Sequence, residues 1–462
     1  GSTNTTGSNP DIPLIGDGSR DGYLAKYDTN GNLLWAYAIA QGALEDRSFG
    51  VITDSENNIY VSGFFRSTNL NIFRKDLSDS TITKTAGNNS DGYIVKYSPD
   101  AYYLWHKQFS SPTYARNTGG IALAPNNGVY VAIDFTSSVS VVGTDPLVSA
   151  SAIGNKAVAI FKLSEDSNVD WVRVIRGSVA GSGVNVVQGG AFTSDAEGNL
   201  YAIGQGNTTL IFEDGAGGNL LSLTCNAYDG WLAKYSTQGV LLWAKIAGGL
   251  TNEMFNSVSY RNGVASVVGY YSAVTYLPSH TDRRDTLINS GGQDIFLINY
   301  NSDGQYLGSS RMGGSLDDEA SSVAFTPDGN SIVGASFKST TLNVPGVDTT
   351  LNNGGLRDMF LGKHINIHFL PEETPISCNN GNNGALTFTI FGGGEAPYSY
   401  SFAKVGGSVI GSGTYSNPVT FQNLDAGTYY VDITDNQTRT IRKYYKINNP
   451  TPITITGNVV NV

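Results

Sequence analysis

With 462 residues, 56 of them glycine, and only 15% charged side chains, the chain is long enough for more than one core and reads as an all-β, turn-rich protein. Twenty-eight basic residues against 39 acidic ones give a formal charge of −11. This argues against nucleic acid as a partner, because neutralising phosphates needs clustered Lys and Arg, and it disfavours an anionic membrane surface.

No run approaches the roughly 18 apolar residues of a membrane span, so direct membrane insertion is not expected. No signal peptide is read at the start, which suits a mature secreted fragment and a soluble cytosolic chain equally. Cys225 and Cys378 fall in regions assigned to different domains and build neither a disulfide framework nor a metal cluster.

Along the chain one block recurs. It opens as Asp21-Gly-Tyr-Leu-Ala-Lys26-Tyr27, turns, and continues into a strand ending at Trp35. Asp91 to Tyr97 with Trp105, Asp229 to Tyr235 with Trp243, and Asp294 to Tyr300 repeat it. Ala157 to Leu163 with Trp171 is a worn copy, and Asp358 to Lys363 opens a sixth. Starts at 21, 91, 157, 229, 294 and 358 are spaced by 70, 66, 72, 65 and 64 residues. Periods this long mean stacked supersecondary units.

Within a repeat the apolar residues alternate with the period of a strand. A third strand (Phe49 to Thr53) and a fourth (Ile59 to Gly63) follow the Trp strand, joined by a tight turn, Asp54 to Asn58. Asp195 to Asn199 and Pro327 to Gly329 occupy the same place, where Asp, Asn and Gly suit a hairpin. Four antiparallel strands per repeat predict one propeller blade each. Five blades are expected, with six the runner-up. A surplus copy of the first strand must pair across the ring closure or be displaced.

Between the fourth strand and the next repeat lie extensions at about 66–90, 136–156, 206–228, 273–293 and 339–357. Since the same connection is lengthened each time, all should emerge on one side of a disc. They vary in sequence and carry groups the repeat does not require. Arg74, Lys75, Tyr276, Arg283 and Arg284 are therefore the candidate ligand-binding residues.

The pattern Asp-Gly-Tyr-Leu-Ala-Lys…Trp…Asp-x-x-Asn-x-Ile-Tyr-Val-x-Gly resembles the SBBP-type β-propeller repeat of secreted bacterial proteins, especially those of Bacteroidetes. The resemblance covers 11 to about 365 and implies a propeller over 11–370, with little said about activity. The third repeat departs at Ala157; the fifth has Asn299 in the lysine slot and Gly308 in the Trp slot.

Pro371-Glu-Glu-Thr-Pro375 reads as a linker. Beyond it, Cys378 to Gly384, Phe391 to Gly394, Ala396-Pro-Tyr398-Ser-Tyr400, Leu424 to Tyr429, Val431 to Asp435 and Asn449-Pro450 resemble the SprB-type repeat of Bacteroidetes surface adhesins. That resemblance implies an immunoglobulin-like β-sandwich over 376–457. A second Cys frequent in that family is missing after Asp435, so Cys378 is expected to be an unpaired thiol.

Several constellations invite chemistry. The Trp slot could stack sugars, but recurrence at one strand position favours packing between blades. Tyr23, Tyr93, Trp231, Phe296 and Phe360 share another such slot. Lys26, Lys96, Lys162, Lys234 and Lys363 could ring a channel and attract an anion, or each could be solvated or paired locally, for instance with the Asp of its own motif. His364 and His368 lie in a strand-like run with no third ligand. Asp28 to Asn32, and Asp317 to Glu319, could offer oxygens to Ca²⁺, but the first is also an ordinary turn.

The four histidines do not recur, and no nucleophile elbow or phosphate loop occurs. Whether Asp21, Asp91, Asp229, Asp294 and Asp358 converge as a hydrolase or lyase site would require is open, although turn formation explains them better. No catalytic residue, metal ligand or cofactor is assigned. The expected function is a non-catalytic extracellular binding or adhesion protein, part of a larger surface adhesin, with a surface glycan or cell-surface protein as partner. A propeller-type polysaccharide hydrolase or lyase is the alternative. The two resemblances imply export, with type 9 secretion machinery as the expected route.

Overall fold

The computed structural model describes residues 20–73, 80–85, 89–143, 156–179, 183–186, 190–214, 218–273, 275–277, 285–344, 351–365, 367–416 and 418–451. The protein is all-β, and no helix occurs among these residues. It divides into two compact units, one of Gly1–Tyr260, Ala265–Ala324 and Val333–Leu361, the other of Arg261–Val264, Phe325–Ile332 and Gly362–Val462.

In the first repeat, strands β1 (Gly22–Tyr27), β2 (Leu33–Gln41), β3 (Asp46–Thr53) and β4 (Ile59–Phe65) are followed by the hairpin β5 (Asn69–Ile72) and β6 (Ser80–Thr83). The second repeat opens with β7 (Asp91–Tyr97) and β8 (Tyr103–Ser110). The expectation that four strands of one repeat form one sheet is corrected here. β3 and β4 do not join β1 and β2; they join β7 and β8, in the order β3-β4-β7-β8. β4 and β7 run antiparallel from Ile59↔Tyr97 to Phe65↔Asp91, so the long extension spans one sheet and the short link between β2 and β3 passes to the next. Sequence period and sheet are offset by half a repeat.

The extensions are shorter as loops than their length suggests. β5 and β6 form a hairpin that adds to the edge of β2 through Ala40↔Ile72. Thr209–Glu213 with Asn219–Thr224, and Thr275–Leu277 with Asp285–Leu287, do the same in later repeats. An edge that would otherwise expose unpaired N–H and C=O groups is covered.

Side chains on both faces of the central strands are buried. Asp91–Tyr97, Asp229–Tyr235 and Asp294–Asn301 are buried throughout, because sheets flank them on either face, and runs buried on both faces need not alternate. The repeat's Val-x-Gly ending has a steric cause. A Cβ on Gly63 would lie 1.8 Å from the Arg47 carbonyl, one on Gly204 2.4 Å from that of Asn185, and one on Gly269 1.7 Å from that of Met254. The third strand crosses so closely that only glycine fits.

The two ends differ from the middle. β1 pairs only with β2 in its sheet, and the last sheet of repeats holds Asp318–Phe325, Ser331–Phe337 and Asp358–His364 without a second-strand copy. Tyr23 is 62% exposed where its counterpart Tyr93 is fully buried, and Met359 is 87% exposed. No described hydrogen-bonded strand pair joins these two incomplete sheets.

The assignment of 371–375 as a linker is also corrected. Strand His368–Thr374 runs through Pro371, which faces Phe388 of strand Gly384–Gly392. It lies at the edge of a three-stranded sheet, the place in a ladder where a residue without an N–H is tolerated. A four-stranded sheet of Val409–Thr414, Ser399–Lys404, Gly427–Thr434 and Thr440–Ile447 shares an apolar core with it, built from Phe369, Leu386, Phe388, Phe402, Val431 and Ile433.

Candidate functional site

Two of the recurring slots form one row across each sheet. Tyr60 of β4 faces Lys96 of β7, which faces Trp105 of β8; Tyr130, Lys162 and Trp171 repeat the row, as do Tyr201, Lys234 and Trp243. The Lys96 and Lys234 ammonium groups each sit 4.9 Å from the centre of their Tyr ring. Each is buried and paired with an acid of the third-to-fourth-strand turn: Lys96 with Asp54 at 3.3 Å, Lys234 with Asp195 at 3.2 Å. The partner is thus the turn Asp of the preceding repeat rather than the Asp of the lysine's own motif. Lys162 instead meets Asp170 at 3.1 Å. Lys363 meets Asp328 at 3.2 Å with both groups largely exposed, and Lys26 donates to the Pro99 carbonyl.

Three of the four Trp rings, those of Trp105, Trp171 and Trp243, tie neighbouring sheets together, while Trp35 Nε1 has no hydrogen-bond partner among the described residues. Trp105 Nε1 donates to the Glu165 carbonyl, Trp171 Nε1 to that of Thr237, and Trp243 Nε1 to that of Ser302. Each acceptor lies in the first-to-second-strand turn of the next repeat, so these rings do not present sugar-stacking faces. The fifth repeat replaces the row as a set, with Ser266 Oγ donating to Asn299 Oδ1 at 2.5 Å and Gly308 opposite. Asn299 and Gly308 stand out in the sequence; Ser266, which completes the exchange, does not.

The acids close their own turns. Asp91 accepts from the Thr85 amide, Asp229 from Asn226, Asp294 from Ser290 and Asp358 from Gly354. Asp28 accepts from the Asn30 and Asn32 amides and from Asn32 Nδ2, the geometry of an ordinary turn. Asp318 accepts from the Gly314, Lys338 and Ser339 amides and the Ser339 hydroxyl. Sequence reading missed Glu253, a fully buried acid held by the Gly249 amide and the Thr251 and Thr275 hydroxyls. Burial, with the carboxylate of Asp229 beside it, pushes its pKa up.

His368 is buried and His364 partly so, and burial lowers the pKa of His364 to about 4 and that of His368 to about 3. Both are neutral at physiological pH. Cys225 is a buried thiol, its pKa raised to about 12 by burial, and Cys378 is exposed; neither forms a disulfide. Of the candidate ligand-binding residues, Arg74, Lys75, Arg283 and Arg284 lie outside the described residues. Tyr276 lies in the outer hairpin, its backbone opposite Gly248.

An open cavity of about 740 Å³ beside the first extension was not anticipated. Arg20, Leu44, Glu45, Arg66, Thr68, Lys84 and Asn89 line it. Glu45 bonds Arg20 Nη1 and Arg66 Nη1, each at 3.2 Å, and also Arg47. A sequence signal existed, since Arg20 and Arg66 occupy repeat slots that hold Ser90 and Thr136 one repeat later.

Residues 372–403 are a SprB repeat. The match begins inside the segment first read as a linker. An uncharacterized WD repeat-containing protein of Acanthamoeba polyphaga mimivirus is 26% identical over 339 residues, 62% of this chain, and the chain spans 24% of that relative's length. Two solved extracellular domains from B. thetaiotaomicron, of a putative one-component and a putative hybrid two-component system, align over 96% of this chain. They cover 87% and 88% of the respective domain, at 11% and 12% identity with TM-scores of 0.17 and 0.19. Scores this low carry no argument.

Proposed function

We propose that the chain is a non-catalytic binding protein of the cell surface or extracellular space, with SBBP-type repeats forming a propeller and a SprB-type immunoglobulin-like sandwich following it. In this reading the fifth blade is composite and closes the ring when β1 and β2 take the edge of Ser331–Phe337 that Asp358–His364 occupies here. The surface location rests on the SprB repeat at 372–403, and export by type 9 machinery on the Bacteroidetes resemblance.

One observation carries the non-catalytic reading. Most of the residues that recur, and so could have made a symmetric chemical site, are engaged inside the sheets: Lys96 and Lys234 on turn acids, the Trp105, Trp171 and Trp243 indoles on neighbouring turns, and the carboxylates of Asp91, Asp229 and Asp294 on their own loops, with Oδ1 of Asp229 and of Asp294 left without a hydrogen bond among the described residues. Variable groups are left to the outer hairpins and their loops, where a rigid scaffold usually presents binding residues. A glycan-array screen of residues 11–370 tests this. Saturable binding of a glycan that the protein leaves chemically intact is the expected result, and turnover of any bound polysaccharide would favour the hydrolase or lyase alternative.

A further inference from the structure

We infer that Arg20, Arg66 and Lys84 form a subsite for the oxyanion groups, carboxylate or sulfate, of an acidic oligosaccharide. This deepens the surface-binding reading by naming a ligand class for the first extension.

The cavity is a local exception to the charge of the molecule. The chain carries −11 overall, yet three cations and one acid line this concavity. Arg47 reaches the same acid. Arg116 adds a further positive charge close by, stacked 4.7 Å over Phe64 and donating from Nε to Ser90. Burial and the nearby Arg66 cation lower the Arg116 pKa, as expected where like charges gather. Guanidinium groups match carboxylate and sulfate oxygens in planar, paired hydrogen bonds. Glu45, bound by Arg20 and Arg66 through its two oxygens, shows where such an oxyanion would sit.

The repeat does not call for these charges in every copy: Lys156 and Arg357 stand at the Arg20 slot elsewhere and the Glu45–Arg66 pair recurs as Asp317 with Lys338 at 2.8 Å, but the second and fourth repeats hold neutral residues at all three slots. The amide of Asp46 bonds the Arg20 carbonyl, and the same bond recurs from Ala115 to Ser90, Glu253 to Tyr228 and Asp318 to Gln293. The backbone geometry therefore forms equally well with Ser, Tyr or Gln in place of Arg20. At the slot of Glu45 stand Tyr114, Asn252 and Asp317, and at that of Arg66 stand Thr136, Ser272 and Lys338. Only the first repeat combines two arginines there with a further lysine at the rim. Asn89 and Thr68 supply side-chain amide and hydroxyl groups of the kind that meet sugar hydroxyls. A duplex or single-stranded nucleic acid, with phosphates at close and regular spacing, would need a basic track far longer than this. The volume falls in the range of ordinary ligand sites.

The test uses the full chain with three probes: oligogalacturonate, dextran sulfate and unmodified dextran, measured by calorimetry at low and high salt. Binding of at least one acidic probe is expected, weakened by salt, with no binding of dextran. The Arg20→Ala, Arg66→Ala double variant, shown to be folded by its unchanged melting temperature, should bind at least about tenfold more weakly. The Glu45→Gln variant should bind more tightly, because the built-in competitor loses its charge. If the double variant binds an acidic probe as wild type does, the subsite is wrong, although the surface-binding reading stands. If neither acidic probe binds but a neutral glycan does, the subsite again falls alone; if no glycan of any kind binds, both fall.

Discussion

Lys96 Nζ lies 3.3 Å from Asp54 although the two residues belong to successive repeats, and both side chains are almost wholly buried. This pair fixes strand β4 of one repeat against β7 of the next at the point where the sequence period and the sheet are out of step. It also explains why the repeat contains both residues at all, since neither charge could be buried alone.

Removing one partner should therefore cost far more here than at the end of the array. Lys96→Ala leaves Asp54 buried without its cation and should destabilise by about 2–3 kcal/mol. Lys363→Ala breaks a pair exposed on both sides, and such pairs contribute at most about 1 kcal/mol. Paired urea melts of the two variants check this. Equal losses would mean that the buried pair is not what holds the sheets together.

Acid should weaken the C-terminal unit through His368. Unfolded, its imidazole protonates near 6.5; folded, burial keeps it neutral down to about 3. Between those values the unfolded chain binds the additional proton, so stability falls as pH drops below about 6.5, by about 1 kcal/mol at one pH unit lower. The slope should be shallower in a His368→Phe variant melted at the same series of pH values, the remainder coming from His364, whose pKa burial also lowers.

Glu253 predicts the opposite trend in the other unit. Its pKa and that of Asp229 are raised by burial, so the folded state binds the proton more strongly than the unfolded one. Stability from this pair is present at low pH and is lost as the pH rises from the unfolded carboxyl range towards the raised folded values. Glu253→Gln, which keeps a donor towards Asp229, should raise the melting temperature in mildly alkaline buffer and change it little in mildly acidic buffer. A destabilised variant at both would show that the carboxylate is needed charged.

The strand through Pro371 changes where the C-terminal piece must be cut. A fragment starting at residue 364 retains strand His368–Thr374 and the buried Phe369 and should melt cooperatively. A fragment starting at 376 lacks an edge strand and that ring, and should melt at a clearly lower temperature or without a transition. Matching melts would restore 371–375 as a linker.

The repeat spacing and strand pattern were legible because they depend on local alternation and turn chemistry, as at Asp54 to Asn58 and Asp195 to Asn199. The pairing of β4 with β7 was not, since register across an extension of some 25 residues leaves no local mark. The acid partner of Lys96 was hidden for the same reason: Asp54 is 42 positions away and reads as a turn residue. Ser266 could be found only by aligning repeats on the cross-strand row that Asn299 and Gly308 share. The basic cavity was overlooked because Arg20, Arg66 and Lys84 are scattered in sequence and meet only once the hairpin β5–β6 folds onto β2.

The central claim is that the recurring residues build the scaffold while the variable outer hairpins and their loops bind. The most direct measurement takes the ligand found by the array and compares two folded variants. In one, Arg74, Lys75, Arg283 and Arg284 are exchanged for Ser, with retention of the fold checked by the melting temperature. In the other, the exposed charges of the third-to-fourth-strand turns, Glu56, Glu197, Arg261 and Asp328, are exchanged instead, leaving the buried Asp54 and Asp195 in place. Loss of affinity in the first variant and full affinity in the second is the predicted result; the reverse would contradict the account.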